Sequence, residues 1–321
     1  MNHVNSLPNS FKHQNGPNIN NICAIVITYH PDNELPDRIQ RIVRQVNKVV
    51  IVDNGSNGGN ILMLKKISSE LGVDLILNET NLGIATALNI GFDFASKSDY
   101  SFDWCLTMDQ DTILYPEMVQ NLITAYNDFP FKTELGIIGS NYEEYTTKRV
   151  LYENKNDKKS WAEVEHLPTS GCLTSIPIYK LLGKFRENLF IDYVDTEYCM
   201  RLKENGFRVI ISPRVNMRHP LGNYKYNKLY KILTGKDMIT NYPPIRHYYW
   251  TRNGITISRE RFWKNMKWSI NELYYLLIRR VGIVILFEDL KIKKLKVIIL
   301  AVFHACINRH FNLEENYFKS I

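Results

Sequence analysis

The sequence predicts an α/β protein: a mostly parallel, Rossmann-like sheet flanked by helices, followed by a C-terminal helical appendage. Three observations lead there. Between residues 22 and 139, short β-branched runs alternate with segments of helical period, the pattern of parallel strands joined by right-handed helical crossovers. A chain of 321 residues, 45% hydrophobic and 23% charged, is long and apolar enough to bury a sizeable core. The charge is also uneven, since residues 1–200 carry a net −8 and residues 201–321 a net +15, for +7 in all.

Taken in order, "ICAIVIT" reads as a strand, and "RIQRIVRQV" sets Ile39, Ile42, Val43 and Val46 on one helical face. "VVIVD" and "VDLIL" are strands on either side of the helical "ILMLKKISSEL"; "GIATALNIGFDFA" is helical again. "WCLTM" makes a fourth strand, "PEMVQNLITAY" a helix opened by Pro116, and "LGIIGS" a fifth strand. The charged "ENKNDKKSWAEVE" suits an exposed loop or hairpin, and the apolar segments "YYWTRNGITI", "WSINELYYLLIRRVGIVILFEDL" and "LKVIILAVFHACI" suit helices. The organisation expected is a loose tail over residues 1–20, a main domain over 21–226 and a basic amphipathic helical region over 227–321.

The polar opening, "MNHVNSLPNSFKHQNGPNIN", lacks the apolar core of a signal peptide. Five scattered cysteines fit neither a disulfide framework nor a zinc site, so a reducing cytoplasm is expected. No apolar run reaches the roughly 18 residues of a membrane span. In the last third the basic residues alternate with apolar helical stripes, which favours an anionic membrane surface over nucleic acid, for which no module is recognisable. A merely solvated helical face is the plainer alternative.

In doubly wound sheets ligands bind beyond the C-terminal strand ends. Each such end here is polar: Thr28 and Tyr29, Asp53 and Asn54, Asn78 to Asn89, and Asp109 to Asp111. Residues i and i+2 of a strand point to one side, so Asp109 and Asp111 face one volume if the strand stays extended through them. Two carboxylates there suit Mg²⁺ or Mn²⁺, with water and phosphate completing the shell. Gly-rich phosphate loops of either common kind are missing, and a metal bridge to a diphosphate could replace them. A strand end followed by a turn often collects Asp without any metal.

Context sharpens the reading. "AIVITYHP", "VIVDNGS", "NETNLGIATALNIGF", "TMDQDT" and "FIDYVDTEYCMRLKENGF", followed or accompanied by "TSGCLTS", "RHPLG" and "YYWTRN", resemble the family 2 glycosyltransferases of the GT-A fold. The ordered series spans roughly residues 22 to 258 and looks like the branch holding bacterial rhamnosyltransferases of surface polysaccharide (O-antigen) assembly.

The resemblance implies roles. Asp53 would accept the N3–H of a uracil or thymine ring, with Thr28 and Tyr29 lining the base pocket and Asn54 beside them. Asp109 and Asp111 would form the metal-binding pair, Asp109 also lying near the ribose or sugar. Gln110 stands where many relatives carry Asp, which lowers the charge of the site and keeps both outer ligands. His219, in "MRHPLG", lies where some relatives place an imidazole on the metal, and would tilt the preference toward Mn²⁺; a His before Pro is also a common turn residue. Asp195 matches the catalytic base, with Asp192 and Glu197 as alternatives, and an acidic first helical turn would explain all three equally. Asn78, Asn81 and Gly83 would offer amides and a pliable backbone to hydroxyls, or cap a helix. Ser170, Gly171 and Cys172 would lie beside sugar or acceptor, or form a tight turn. Arg252 and Asn253 resemble a pair near the acceptor side, or anchor the appendage through its carbonyls.

The function implied is inverting, metal-dependent transfer of a sugar from a nucleoside diphosphate to a hydroxyl of a lipid-linked glycan at the inner, cytoplasmic face of the cell membrane. dTDP-L-rhamnose is the favoured donor. Another UDP- or dTDP-sugar, or a non-catalytic sugar-nucleotide-binding scaffold, is the alternative.

Overall fold

"ICAIVIT" is buried at every position, which a strand covered on both faces requires. In the computed structural model, which describes residues 15–97, 102–153, 159–222 and 224–309, this strand is central to a nine-stranded sheet. The chain divides into two compact units, Met1–Phe185 with Asp195–Pro220, and Arg186–Val194 with Leu221–Ile321.

In the first unit the elements run β1 (Ile22–Thr28), α1 (Leu35–Val43), β2 (Lys48–Asp53), α2 (Gly58–Leu71), β3 (Asp74–Leu77), α3 (Ile84–Lys97), β4 (Trp104–Asp109), β5 (Ile113–Leu114), α4 (Met118–Asp128), β6 (Leu135–Glu144), β7 (Ala162–Glu163), β8 (Cys172–Ser175), α5 (Ile176–Leu182), α6 (Val194–Glu204) and β9 (Arg208–His219). The sheet order is β3-β2-β1-β4-β8-β6-β9-β5, with β7 also on β9. The β3-β2-β1-β4 part is parallel, as expected. Beyond it the sheet is mixed, because β8 runs antiparallel to both β4 and β6. The long β9 lies parallel to β6, and its other edge is shared by β7 at Ile210 and Ile211 and by β5 at Met217 and Arg218.

Of the tail expected over residues 1–20, residues 1–14 lie outside the described residues. The remainder is fastened rather than loose: the Trp104 indole donates to the Asn15 carbonyl (3.0 Å) and the Asn15 side chain donates to Asp103 (3.2 Å). Part of the charged loop, residues 154–158, also lies outside the described residues, and beyond it β7 joins the sheet edge. Four of the five cysteines are buried and unbridged.

The second unit holds β10 (Tyr224–Tyr226), α7 (Lys228–Thr234), β11 (Met238–Thr240), α8 (Pro244–Glu260), α9 (Met266–Tyr274), a π-helical stretch (Tyr275–Arg279), α10 (Arg280–Phe287) and α11 (Lys291–Cys306). Tyr248 and Tyr249 of α8 pack with Val297 and Ala301 of α11 and with Phe190. Beside them Glu288 is buried with three basic partners, accepting from Lys294 (2.6 Å) and lying 3.0 Å from His247 and 3.1 Å from Arg280. A lone buried carboxylate would be costly; these partners offset that cost. Among the described residues no helix is long and apolar enough to cross a membrane.

The helix-to-sheet distance in the first unit is set by a glycine. A Cβ on Gly91 of α3 would lie 2.4 Å from Ile25 Cγ2, and Ile25 is a fully buried, β-branched residue with little room to yield. Gly91→Ala gains about 1 kcal/mol of helix propensity but forces an overpacking that costs about 1–3 kcal/mol. The expected outcome is a lower urea midpoint; an unchanged or higher one would show that α3 can move off β1.

Candidate active site

Asp109 ends β4, and there the strand stops. The chain turns through Gln110 and Asp111, with the Thr112 N–H donating to the Asp109 carbonyl (3.3 Å), so the two carboxylates reach a common volume by a tight turn and not by strand extension through them. This corrects the expectation of an extended D-x-D. After the turn, β5 pairs antiparallel with the end of β9, Ile113 opposite Arg218 and Leu114 opposite Met217. One step further in that register sets Thr112 against His219, and their Oγ1 and Nδ1 are 2.8 Å apart.

Asp109, Asp111 and His219 each offer one ligand atom to a group whose atoms all lie within 4.8 Å of one another. His219 Nε2 is 3.9 Å from Asp109 Oδ2, and Nδ1 is 3.8 Å from Asp111 Oδ1. The carboxylates remain open to solvent, at 35% and 45% exposure, whereas His219 is buried. Asp111 Oδ1 is itself buried and has no hydrogen-bond partner, and burial raises the Asp111 carboxyl above its usual range. An orphaned carboxylate oxygen beside a second carboxylate and an imidazole fits a divalent cation.

Gln110 is held by the chain that follows β1. Its amide clasps Tyr29, accepting the Tyr29 N–H (2.7 Å) and donating to the Tyr29 carbonyl (3.1 Å). From α1, Arg38 donates to the Gln110 carbonyl (3.1 Å) and pairs with Asp32 and Glu34. An Asp in place of Gln110 could not make the reciprocal pair, because it lacks a donor.

At the end of β2, Asp53 is 1% exposed. Its carboxylate accepts from Thr28 Oγ1 (2.8 Å), the Ser56 N–H (2.8 Å) and Ser56 Oγ (2.6 Å). A carboxylate has about four acceptor sites, so one remains. Thr28 therefore positions Asp53 and does not line an open pocket; Tyr29 is the exposed member. Asn54 donates to Asn81 Oδ1 (2.9 Å) and the Gly83 carbonyl (3.2 Å), and accepts from Asn78 (3.2 Å) and the Leu82 N–H (3.0 Å). Those amides satisfy one another across two loops. Gly55 makes their approach possible: at φ +86° its added Cβ would lie 2.6 Å from the Thr80 carbonyl carbon.

Ser170, Gly171 and Cys172 are not an open acceptor face either. The buried Ser170 Oγ accepts the Asp109 N–H (3.0 Å) and lies 2.9 Å from Thr112 Oγ1. Gly171, at φ +81°, has no space for a Cβ, which would meet Met217 Cε at 2.5 Å. Burial pushes the Cys172 thiol well above its usual range, so it packs without reacting.

Asp195 lies in the first turn of α6 and lines a small cavity of about 20 Å³ with Thr107, Thr169 and Cys172. The charges of Asp195 and Asp109 both act on the Cys172 thiol, so helix start and strand end lie within electrostatic reach of one residue. Burial raises the Asp195 carboxyl, against the Thr196 N–H donating at 2.7 Å. Both alternatives are ion-paired: Glu197 with Arg201 (2.8 Å) and, within the second unit, Asp192 with Arg246 (2.6 Å).

Arg252 and Asn253, both 0% exposed, are anchors and not an acceptor surface. Arg252 donates to the Asn188 carbonyl (2.7 Å), and Asn253 Nδ2 reaches the carbonyls of Leu189, Ile191 and Asp192 at 2.8, 2.8 and 2.9 Å. The segment they hold has three non-glycine residues at positive φ: Phe190 (63°), Asp192 (65°) and Tyr193 (63°). The roles of Thr112, Ser56 and Arg38 are absent from the sequence reading; only the pairing of β5 with β9 and the loop contacts reveal them.

Comparison with known proteins comes to the same region. The family model described as glycosyl transferase family 2 matches residues 23–188, about half of the chain. The chain is 29% identical over 291 residues to a dTDP-rhamnosyl transferase, RfbF, of Shigella flexneri, covering 88% of this chain and 94% of that protein. It is 28% identical over 152 residues to an uncharacterised glycosyltransferase of Haemophilus influenzae, covering 42% of this chain and 49% of that one. Among solved structures, residues 1–349 of S. aureus TarS superpose with a TM-score of 0.59 at 14% identity, over 88% of this chain and 80% of that one. GalNAc-T7 with UDP, GalNAc and Mn²⁺ gives 0.53 at 12% identity, over 63% and 44%. At such identities the structures establish the fold alone.

The anchoring assignment is testable by stability. Asn253→Ala leaves three carbonyls without this donor, and a buried unsatisfied group costs about 1–3 kcal/mol. Chemical denaturation is expected to show a loss of that order; unchanged stability with a raised acceptor KM would return Asn253 to the acceptor side.

Proposed function

The chain belongs to glycosyltransferase family 2, and on that premise we propose that it transfers L-rhamnose from dTDP-L-rhamnose, with inversion, to a hydroxyl of a lipid-linked glycan in surface polysaccharide synthesis. The observation that carries the metal-dependent part is the convergence of Asp109, Asp111 and His219 around an unpartnered carboxylate oxygen. The donor rests on the dTDP-rhamnosyl transferase relative. A non-catalytic scaffold is the weaker reading, because it gives no reason for this convergence.

In the proposed mechanism Asp53, held by Thr28 and Ser56, uses its remaining acceptor site for the N3–H of the pyrimidine. Asp109, Asp111 and His219 would hold the divalent ion. That ion, when bound, would offset the charge gathering on the departing diphosphate. Asp195 removes the proton of the acceptor hydroxyl as its oxygen attacks the anomeric carbon opposite the leaving group. Burial raises its basicity, whereas Glu197 and Asp192 are each held by an arginine. Inversion would give an α-L-rhamnosyl linkage.

The test is nucleotide release by the purified protein with a panel of dTDP- and UDP-sugars, Mn²⁺ and a lipid-linked acceptor extract. Release is expected with dTDP-rhamnose, to be abolished by EDTA and restored by Mn²⁺; activity unaffected by EDTA would overturn the metal assignment. Asp195→Asn is expected to lower turnover by about 10²–10⁴-fold. Since a protonated Asp195 cannot accept the proton, kcat/KM should rise with pH through a value above the ordinary carboxyl pKa of 3.8. Near-normal turnover of the variant would sink the base assignment.

The second unit supplies the proposed membrane contact, on the cytoplasmic leaflet. Ile270, Tyr274 and Ile278 are exposed on the α9-to-α10 stretch, as are Ile292, Ile299 and Phe303 on α11, among Lys267, Arg279, Lys293 and Lys296. Apolar side chains set among cations suit an anionic bilayer surface. The full-length protein is expected to sediment with phosphatidylglycerol vesicles at low salt and to be released as salt rises. Equal retention by neutral vesicles at high salt would exclude this electrostatic account.

A further inference from the structure

The hydroxyl of Thr112 has no part in the mechanism above, yet it sits between the metal-facing cluster and the sheet. Its Oγ1 is 2.8 Å from His219 Nδ1 on one side and 2.9 Å from Ser170 Oγ on the other. Ser170 Oγ in turn accepts the backbone N–H of Asp109 at 3.0 Å. The line Asp109 N–H, Ser170, Thr112, His219 therefore runs beneath two of the three prospective ligands, with Ser170, Thr112 and His219 all buried. The imidazole is further fixed by the Tyr142 ring, edge-on at a centroid distance of 5.3 Å.

A hydroxyl can donate or accept, so this line accommodates either imidazole tautomer. With Nδ1 protonated, His219 donates to Thr112, whose own proton goes to Ser170, and the Nε2 lone pair is left on the side of Asp109 Oδ2, 3.9 Å away. Nδ1, in contrast, lies 3.8 Å from Asp111 Oδ1 but is already engaged by Thr112 at hydrogen-bond distance. Imidazoles that ligate metals donate their second N–H to a fixed partner, and loss of such a partner typically costs 10–100-fold in metal affinity.

We propose that Thr112 is a positioning residue that occupies Nδ1 of His219, so that Nε2 is the nitrogen offered to the divalent ion and Nδ1–H donates to Thr112 when the ion is bound, with Ser170 linking this arrangement to the backbone at Asp109. The proposal rests on the metal reading of Asp109, Asp111 and His219. It assigns to a threonine the part that a carboxylate or a backbone carbonyl plays at many metal-bound histidines. Val in place of Thr112 keeps the shape and removes the hydroxyl; Ser keeps the hydroxyl and removes the methyl.

The experiment titrates Mn²⁺ into the metal-free, full-length protein and follows free Mn²⁺ by electron paramagnetic resonance, for the natural chain and for Thr112→Val, Thr112→Ser, His219→Ala and the Thr112→Val/His219→Ala double variant. Thr112→Val is expected to weaken Mn²⁺ binding about 10-fold or more, with Thr112→Ser close to the natural chain. In the His219→Ala background the Val substitution is expected to change nothing further. Pulsed measurement of imidazole nitrogen coupling to bound Mn²⁺ should show it in the natural chain and Thr112→Ser, and altered in Thr112→Val. Equal affinity and coupling in Thr112→Val would overturn the proposal, as would an undiminished Val effect without His219. No Mn²⁺ binding by the natural chain would instead overturn the metal reading beneath it. Thermal denaturation without metal checks folding, and Thr112→Ala carries the same comparison if the Val variant does not fold.

Discussion

The first unit depends on a short antiparallel pairing, that of β5 with the last residues of β9. β5 has only two residues, too few to hold by ladder bonds alone. It is locked by what flanks it: the Tyr115 N–H donates to the Asn216 carbonyl (2.9 Å), Asn121 of α4 donates to Asn216 Oδ1 (2.6 Å), and Gln45 donates to the Tyr115 carbonyl (2.9 Å). β9 can reach so far because its twelve residues are carried along β6. Register then does the chemical work, since a slip of one residue would turn His219 to the other face and take the imidazole away from both carboxylates.

Around this point the polar groups divide into those that satisfy one another and those that do not. Asp53, Asn54 and Gln110 each have several protein partners, so the loops at the strand ends are already held in the shape a nucleotide would meet. Preorganised groups need no ordering when a ligand arrives, and catalysis draws its largest electrostatic benefit from dipoles fixed in advance. Asp111 and Asp195 are different. Burial raises both carboxyls, and Asp111 Oδ1 lacks any protein donor. Charge held at such a cost is explained most simply by an occupant or a proton that completes it.

The parallel part of the sheet was legible because its strands are continuous β-branched runs and its helices show clear periodicity. Asp109, Asp111 and His219, which the structure brings together, were singled out in the sequence one by one, through the ordered series of motifs. Their arrangement was not legible. An extended D-x-D was the natural reading of alternating strand geometry, but the Thr112 N–H bond to Asp109 replaces it with a turn. "RVNMRH" carries no strand signal strong enough to announce that it pairs with two residues a hundred positions earlier. Asparagines and a serine look alike in sequence whether they face a ligand or each other; only the contacts of Asn54, Asn81 and Ser170 separate these uses.

The basic last third shows the same limit of composition. A net +15 over residues 201–321 counts every cation alike, yet Arg252, Arg280 and Lys294 are buried. Arg252 is bound to the backbone of residues 188 and 189, and Arg280 and Lys294 surround Glu288. A buried cation held by carbonyls or a carboxylate contributes to the fold and little to attraction at a surface. The charge available to an anionic surface is therefore smaller than the sequence count. It lies with residues such as Lys267, Arg279, Lys291 and Lys296, on helices that also expose Ile270, Ile278, Ile299 and Phe303. Apolar burial contributes about 25 cal/mol per Å² and is not screened by salt, whereas each lysine near the surface adds about 1 kcal/mol that is. The salt dependence of the proposed attachment would thus measure how these two contributions divide, following the exposed cations rather than the total.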